Sequence, residues 1–280
     1  MTMRILLFTM LPILCMAQVS PKEDILSNNN PSIERENLAA KRNAMYNLEE
    51  IKVRWKKAAL ENCTGVPCVD FTCGTSPVSD IEGNTYNTVA IGTQCWTKEN
   101  LKVTKYNDGT DIPLDASGGL DGITGGENWS TRIAGAYTIY ANQSSTGTNA
   151  SNYGYLYNWY AVNDSKKLCP AGWHVPTIGE WTTLETALGG STVAGGKLKS
   201  TTSLWFSPNI GADNSSGFTA NPGGKRDSNG GFSGFTDSFW SATEFPSLYA
   251  EYLQLFSGGG NVFKSFDPKL VGASVRCLKD

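Results

Sequence analysis

The cysteines constrain this chain most, because they follow an N-terminal segment with the layout of an export signal. Arg4 supplies a positive charge, and residues 5–13 are almost wholly apolar. Small residues at Cys15 and Ala17 then precede Gln18, as at a cleavage site. One of the seven cysteines leaves with such a leader, and an even number in an exported chain favours disulfides over free thiols. The remaining six are Cys63, Cys68, Cys73, Cys95, Cys169 and Cys277.

Residues 1–17 are therefore predicted to be a secretory signal peptide, and the mature chain to be periplasmic, cell-surface or extracellular. A buried N-terminal strand is the alternative, but it does not explain the charge and the small-residue site. Leu14 stands before Cys15 where lipidation signals normally have Gly or Ala, which argues against a lipoprotein. No later apolar run approaches the ~20 residues of a membrane helix, so we expect no membrane insertion of the mature chain.

The cysteine spacing does not favour a zinc site, because it lacks the CxxC pairs that such sites usually contain. Six cysteines allow many disulfide connectivities, and the spacing does not choose among them. The formal net charge is −3, one unit more negative without Arg4. A nucleic-acid partner would require a basic face, so nucleic-acid binding is not expected.

Composition divides the mature chain into four segments. Residues 18–32 are polar and predict a flexible leader. Residues 33–62 contain no Gly or Pro and predict a helix, with apolar residues on one stripe at Ala44, Leu48, Ile51, Trp55 and Ala58. A helix packed on its own domain or a solvated stalk is the simpler interpretation, and self-association through residues 33–61 is the alternative, although clean heptads are missing. Residues 63–78 form a cysteine-rich connector, and residues 79–280 a separate domain.

That domain combines short strands with one well-marked helix, which predicts an α+β fold. Thr177 and Glu180 form a capping box, an apolar stripe from Trp181 to Leu188 follows, and Gly189-Gly190 ends the helix. Residues 155–162 predict a second, shorter helix. Residues 108–151 predict a long surface excursion held at a few aromatic positions. Strands are expected over residues 85–91, 94–101, 239–243, 249–256, 262–266 and 274–278, with Gly258 to Gly260 as a hairpin turn.

Ordered motifs along residues 79–280 resemble the Fibrobacter succinogenes major paralogous domain family. The motifs are DIEGNTY from Asp80, IGTQCW from Ile91 with ENL from Glu99, YNDG from Tyr106, YLYNW from Tyr155, CPAGWHVPT from Cys169 with the following Glu180-Trp181, GKLK from Gly196, SGF from Ser216, PGG from Pro222, Arg226-Asp227, WSATE from Trp240 and SVRC from Ser274.

The resemblance implies a fold shared with C-type lectins and the formylglycine-generating enzyme. We therefore expect a C-type-lectin-like compact domain of short, mostly antiparallel strands, one or two helices and long loops, preceded by an N-terminal helix. Its first and last strands should lie side by side. The same resemblance implies a Cys169–Cys277 disulfide and a Cys73–Cys95 disulfide, and leaves Cys63–Cys68 for the third.

The residues do not predict an enzyme. His174 is the only histidine, which excludes a multi-histidine metal site, and a structural role near the helix cap is expected for it. No GxSxG pattern, phosphate-binding glycine loop or formylglycine-type cysteine pair is present. The remaining catalytic candidates are late carboxylates, for which pairing with Lys225 or Arg226 is the simpler interpretation. These are Asp213, Asp227, Asp237 and Glu244.

The calcium and sugar motifs of C-type lectins are also missing, since Asn221-Pro222-Gly223 and Val162-Asn163-Asp164 do not match them. We expect no cofactor. Asp213 and Asn214 form the nearest pair of hard oxygen ligands and are the one calcium candidate.

The function predicted from these observations is an exported, non-catalytic binding or adhesion module that presents a loop-rich face to glycan or protein at a bacterial surface. Its alternatives are a secreted hydrolase or oxidase and a structural subunit of a surface filament or matrix. The candidate ligand-binding residues are Trp205, Asn214, Arg226 and Asp227. Buried packing is the competing role for Trp205, and an internal ion pair is the competing role for Arg226 with Asp227.

Overall fold

A computed structural model of the chain describes residues 71–116, 129–234 and 236–280. The chain divides into two compact units, Met1–Val69 and Asp70–Asp280, and all the described residues belong to the second. The predicted signal peptide, flexible leader, N-terminal helix and Cys63–Cys68 disulfide lie outside the described residues.

The described residues form a mixed α+β domain, as predicted. The strands are β1 (Val78–Ser79), β2 (Thr85–Tyr86), β3 (Thr88–Ile91), β4 (Gln94–Thr97), β5 (Tyr137–Thr138), β6 (Leu156–Tyr157), β7 (Trp173–His174), β8 (Lys225–Arg226), β9 (Phe232–Ser233), β10 (Thr236–Phe245), β11 (Tyr249–Phe256), β12 (Val262–Pro268) and β13 (Leu278–Lys279). The α-helices are α1 (Thr148–Tyr153), α2 (Trp159–Val162), α3 (Ile178–Ala187) and α4 (Ser191–Leu198). Every strand-to-strand pairing within a sheet is antiparallel.

The last strand lies inside a four-stranded sheet of order β3-β4-β13-β7. Leu278 pairs with Trp96 on one side and with His174 on the other. The last strand therefore lies beside β4, an early strand, whereas the first strand, β1, pairs with β2 in a separate sheet. The expectation that the first and last strands lie side by side holds only for an early strand. The strand predicted over residues 274–278 was too long at its N-terminal end. Ala273 and Ser274 form single bridges to Tyr157 and Phe239 instead, so this segment connects separate sheets.

A three-stranded sheet of order β10-β11-β12 forms the other large element. The turn between β11 and β12 contains the triple glycine, which confirms the predicted hairpin. β10 is longer than predicted, and its register shifts between Trp240 and Glu244. Leu253, Leu255 and Val262 are buried in one core cluster with apolar residues of α3 and α4, so the helices cover one face of this sheet.

The helix α3 begins as its sequence predicts. The hydroxyl of Thr177 accepts from the amide of Glu180 at 3.3 Å, and the Glu180 carboxylate accepts from the amide of Thr177 at 2.7 Å. The predicted helix over residues 155–162 was wrong in its first half. Leu156–Tyr157 is a strand, and the side chain of Asn158 caps a single turn of helix, Trp159–Val162.

Two disulfides join distant parts of the domain and confirm two predicted pairs. Cys73 is bonded to Cys95 across a separation of 22 residues, and Cys169 to Cys277 across 108. Within the predicted excursion, Ile112, Trp129 and Tyr137 are buried and fasten the described parts of it to the core. Among the described residues, no helix combines the length and apolar composition needed to cross a membrane.

Candidate binding cleft

A polar cleft of about 280 Å³ opens between the first strands, the helix α1 and the loop that follows α4. Hydroxyl, amide and charged side chains line most of it, and Tyr153 adds an aromatic ring. The lining residues are Thr85, Tyr86, Lys98, Glu99, Asn100, Lys102, residues 150–154, Thr219, Asn221 and Arg276.

The floor of the cleft is formed by Asn100 and Arg276, which are 6% and 1% exposed. The amide nitrogen of Asn100 donates to the carbonyl of Tyr153 at 2.9 Å and thereby fixes the end of α1. The amide oxygen of Asn100 accepts from Nε of Arg276. A single asparagine therefore connects one wall of the cleft to its floor.

Arg276 is held on all sides. Its Nη1 donates to the carbonyls of Thr97 and Phe218 at 2.9 Å, and its guanidinium lies 4.3 Å from the centre of the Phe218 ring. Burial lowers its pKa to about 10, although the nearby Asp237 carboxylate opposes this shift. Burial raises the pKa of Asp237 well above its usual range, against the opposing effect of Arg276. The floor is a buried cation whose three guanidinium nitrogens all donate hydrogen bonds, beside a carboxyl group whose ionisation is disfavoured by burial.

Thr219 lies at the cleft in the left-handed region, with φ of +56°, which is unusual for a β-branched residue. Asn214 holds it there, because its side-chain oxygen accepts from the Thr219 amide at 2.9 Å and its nitrogen donates to the Thr219 hydroxyl at 3.1 Å. The predicted ligand residue Asn214 does not line the cleft. It positions Thr219, which does.

Asn221 provides an unsatisfied acceptor in the cleft wall. Its nitrogen donates to the carbonyl of Asn152 at 3.0 Å, which joins the late loop to α1. Its side-chain oxygen is buried and has no hydrogen-bond partner among the described residues. A buried acceptor without a partner costs free energy, on the order of 1–3 kcal/mol.

The charged side chains at the cleft differ in how far the protein itself compensates their charge. Both carboxylate oxygens of Glu99 accept from Asn87, one from its backbone amide at 2.7 Å and one from its side chain at 2.9 Å. Lys98 and Lys102 are half-buried, and neither forms an ion pair with any residue the structure describes. The cleft is therefore lined by two lysines whose charge is not paired within the described part of the chain.

Two of the residues predicted to face a ligand are buried instead. Trp205 is 4% exposed, and its indole nitrogen donates to the carbonyl of Ala220. Arg226 is 0% exposed and lies between the rings of Trp129 and Phe232, at 4.3 and 5.3 Å. Arg226 was expected to pair with Asp227. Its nearest carboxylate is that of Asp115, 3.7 Å from Nη1, because the aromatic rings fix the guanidinium in the core.

The late carboxylates each have a different partner. Asp227 accepts from the Ser233 hydroxyl at 3.3 Å and lies 4.0 Å from the ammonium of Lys225, which is closer to Asp267 at 3.1 Å. Glu244 pairs with Lys269. Within residues 71–116, 129–234 and 236–280, no group of three His, Cys, Asp or Glu residues is placed to hold a metal ion.

His174 and Asp213 lie outside the cleft. Nε2 of His174 is 3.0 Å from the Glu180 carboxylate, and Nδ1 is 2.6 Å from that of Asp280, so the imidazole contacts the capping box as predicted. A carboxylate oxygen of Asp213 accepts from the Ser215 amide at 2.8 Å, and these local hydrogen bonds lower the Asp213 pKa. The calcium candidate at Asp213 and Asn214 stays a prediction.

A second, apolar surface lies on the three-stranded sheet. β12 is hydrogen-bonded to β11 alone among the described strands, so it forms an edge of the sheet. Phe263 and Phe266 on this strand are 50% and 46% exposed. Phe266 stacks on Phe245 with ring centres 4.2 Å apart, and Phe263 meets Phe256 edge-on at 5.1 Å.

The fold and the cleft define the class of protein: a disulfide-bonded α+β domain with an open polar cleft on a rigid floor. Residues 89–279 match the Fibrobacter succinogenes major domain family, and the chain belongs to that family. Neither the curated proteins nor the solved structures contain a match to the chain.

The residues of the cleft were not among the candidate site residues predicted from sequence. Asn100 and Arg276 do fall within two of the motifs that carried the family resemblance, ENL and SVRC. An arginine between Val275 and Cys277, in an apolar segment, is the one local signal that marked a buried cation.

Proposed function

We propose that this protein is an exported, non-catalytic binding module whose polar cleft binds a glycan. One observation carries the proposal: the cleft is open and is lined mainly by amide, hydroxyl and charged residues. Sugar hydroxyls donate and accept hydrogen bonds, and the aliphatic face of a sugar ring packs on an aromatic side chain. Tyr153 supplies such a ring beside Asn152 and Ser151.

The rigidity of the cleft supports binding. Its floor is fixed by the hydrogen bonds of Arg276, and the Cys73–Cys95 disulfide fastens β4 to the preceding segment. Groups that are held in place before the ligand arrives lose little conformational entropy on binding. Two disulfides are also consistent with the proposed export, since such bonds persist in oxidising compartments.

The dimensions of the cleft favour a small polar group over a protein surface. Its volume of about 280 Å³ lies near the lower end of the range for ligand pockets, about 300–1,000 Å³. Such a cleft accommodates a sugar unit of a longer glycan, whereas a protein partner usually buries about 800 Å² on each side of an interface.

The chemistry available at the cleft supports binding without catalysis. Glu99, its one acidic side chain, has both oxygens engaged by Asn87, and no histidine or cysteine lines the cleft. Acid–base catalysis by a carboxylate or a histidine requires a free group of that type within reach of the substrate. The lysines at the cleft are suited to binding an anionic group.

The proposal is tested by screening the mature chain, from Gln18, on a glycan array and measuring the affinity of hits by calorimetry. Tyr153→Ala and Asn221→Ala should each weaken binding at least about tenfold while the melting temperature stays close to that of the parent. Asn163→Ala, at an exposed position outside the cleft, is the matched control. A protein that binds no glycan, or that binds one equally well after both cleft substitutions, would contradict the proposal.

A structural subunit is the second candidate, and the exposed edge strand β12 favours it. Phe263 and Phe266 present apolar area to solvent on a strand with free backbone groups. Lys264 and Pro268 on the same strand oppose continuous strand addition, because charge and proline both interfere with edge pairing. Light scattering of the mature chain, with and without residues 33–61, tests this candidate. If the mature chain is monomeric at high concentration both with and without residues 33–61, the structural-subunit candidate is excluded.

A further inference from the structure

We infer that the cleft selects a sugar that carries an anionic group, a carboxylate or a sulfate, over a neutral sugar. This inference rests on the proposed function and specifies its ligand. The argument depends on which charges at the cleft are already compensated within the protein and which are left for a ligand.

The acidic side chain at the cleft has partners within the protein, whereas the two lysines have no ion-pair partner among the described residues. The Glu99 carboxylate faces Asn87 and accepts two hydrogen bonds from it, so its charge is partly satisfied. Lys98 and Lys102 have no ion-pair partner among the residues that the structure describes. Both are only half-buried, so water solvates them when the cleft is empty and an anion can reach them.

The buried guanidinium beneath the cleft adds to the positive potential. Arg276 contributes to the lining, and its donors are directed to carbonyls and to Asn100. Backbone carbonyls and a neutral amide carry no net charge, and no carboxylate of the described residues lies within ion-pair distance of Arg276. The positive charge of Arg276 is therefore incompletely cancelled inside the protein, and it favours an anion above it.

The polar lining of the cleft favours a ligand larger than a bare inorganic anion. Asn152, Thr219 and Asn221 line the cleft together with Lys98 and Lys102. A ligand that uses both kinds of residue needs hydroxyl groups as well as an anionic group. A uronic acid or a sulfated sugar combines both on one ring.

The test compares each ligand with its uncharged counterpart by calorimetry on the mature chain. Oligogalacturonate, glucuronoxylan and alginate oligosaccharides are measured beside the same oligosaccharides after reduction of their carboxylates to alcohols. Sulfated oligosaccharides and inorganic sulfate are titrated in the same way. We expect at least one acidic glycan to bind about tenfold or more tightly than its neutral counterpart, and this preference to fall as salt is raised.

The lysines are tested with the double substitution Lys98→Met and Lys102→Met, which keeps the aliphatic length of both side chains. It should abolish the preference for the acidic form and leave the melting temperature unchanged. Lys105→Met is the control, because Lys105 pairs with Asp111 outside the cleft.

The outcomes separate this inference from the proposed function. Equal affinity for acidic and neutral glycans, or tighter binding of inorganic sulfate alone, would overturn the inference; the first of these leaves glycan binding intact. A preference for acidic glycans that survives the double lysine substitution would also overturn it. Failure to bind any glycan, acidic or neutral, would overturn the proposed function as well.

Discussion

Arg276 donates a hydrogen bond from its side chain to the amide oxygen of Asn100, although 176 residues separate the two in sequence. The same guanidinium contacts carbonyls from two further segments, at Thr97 and Phe218. One residue near the end of the chain therefore organises the floor of a cleft whose walls come from much earlier in the sequence.

Removal of this guanidinium should destabilise the domain strongly. In Arg276→Met, the Thr97 and Phe218 carbonyls lose a donor and the buried Asp237 carboxyl loses its neighbouring cation. Leaving a buried carbonyl without its donor costs about 1–3 kcal/mol, so the loss of both should cost roughly 2–6 kcal/mol. Urea denaturation followed by tryptophan fluorescence measures the change. The control is Lys105→Met, which removes a solvent-exposed ion pair with Asp111 and should leave stability nearly unchanged. Equal effects of the two substitutions would contradict the assigned role of Arg276.

The two disulfides should differ in their contribution to stability. In the chain-entropy model, the bond that closes 108 residues contributes about 5 kcal/mol, and the bond that closes 22 residues about 3 kcal/mol. The double substitution Cys169→Ala with Cys277→Ala should therefore lower the free energy of unfolding more than Cys73→Ala with Cys95→Ala. Chemical denaturation of both variants tests the order, and the reverse order would show that loop length does not determine it.

The buried Lys199 should make stability depend on alkaline pH. Its ammonium donates to the carbonyls of Ile210, Phe256 and Gly259 at 2.8 Å, and burial lowers its pKa to about 8. Between this value and the unfolded value near 10.5, the unfolded chain binds more protons, so stability contributed by this group rises with pH. We expect that rise from pH 8 to about 9.5, below the ionisation of unfolded tyrosines.

Lys199→Met provides the comparison for this effect. The variant should show a flatter dependence of unfolding free energy on pH across the same window, whatever its overall stability. Denaturation curves at half-unit pH intervals measure both slopes. Parallel slopes in the two proteins would exclude Lys199 as the titrating group.

Two helical glycines should respond oppositely to the same substitution. A Cβ on Gly196 in α4 would lie 2.1 Å from the carbonyl oxygen of Gly211, so Gly196→Ala should cost about 1–3 kcal/mol. A Cβ on the exposed Gly179 in α3 meets nothing closer than 3.8 Å, so Gly179→Ala should stabilise by about 0.5–1 kcal/mol. Thermal unfolding of both variants tests the difference, and the same sign for both would contradict the close backbone packing of α4.

Calcium should leave the melting temperature unchanged. Both polar atoms of the Asn214 side chain bond to Thr219, and one oxygen of Asp213 accepts from the Ser215 amide. These two side chains offer few oxygens, whereas calcium normally requires six to eight oxygen ligands. No group of three acidic or other metal-ligating side chains is placed there among the described residues. Calorimetric titration with calcium and thermal unfolding in calcium or chelator check this expectation. Binding heat that disappears in Asp213→Ala would restore the calcium site.

The parts of the fold that depend on neighbouring residues were predictable from sequence. The start of α3 follows from Thr177 and Glu180, three positions apart, and the β11–β12 turn follows from three consecutive glycines. The two confirmed disulfides came from the family resemblance instead. Spacing alone left the pairing open.

The cleft could not be predicted in the same way, because its residues meet only in the folded domain. Asn221 and Asn152 contact each other across 69 residues, and each looks like an ordinary loop asparagine in the sequence. Trp205 and Arg226 were candidate ligand-binding residues, but the structure places both in the interior. Both lie in glycine-rich, polar segments that suggested exposure, but aromatic contacts and backbone acceptors bury them.

The position of β13 between β4 and β7 makes the four-stranded sheet depend on the C-terminal segment. Leu278 pairs with both Trp96 and His174 and so joins their strands. A chain shortened before Cys277 would have a gap inside this sheet and would leave Cys169 without its disulfide partner. Deleting only a few terminal residues would thus remove an internal strand of the sheet, not an edge strand.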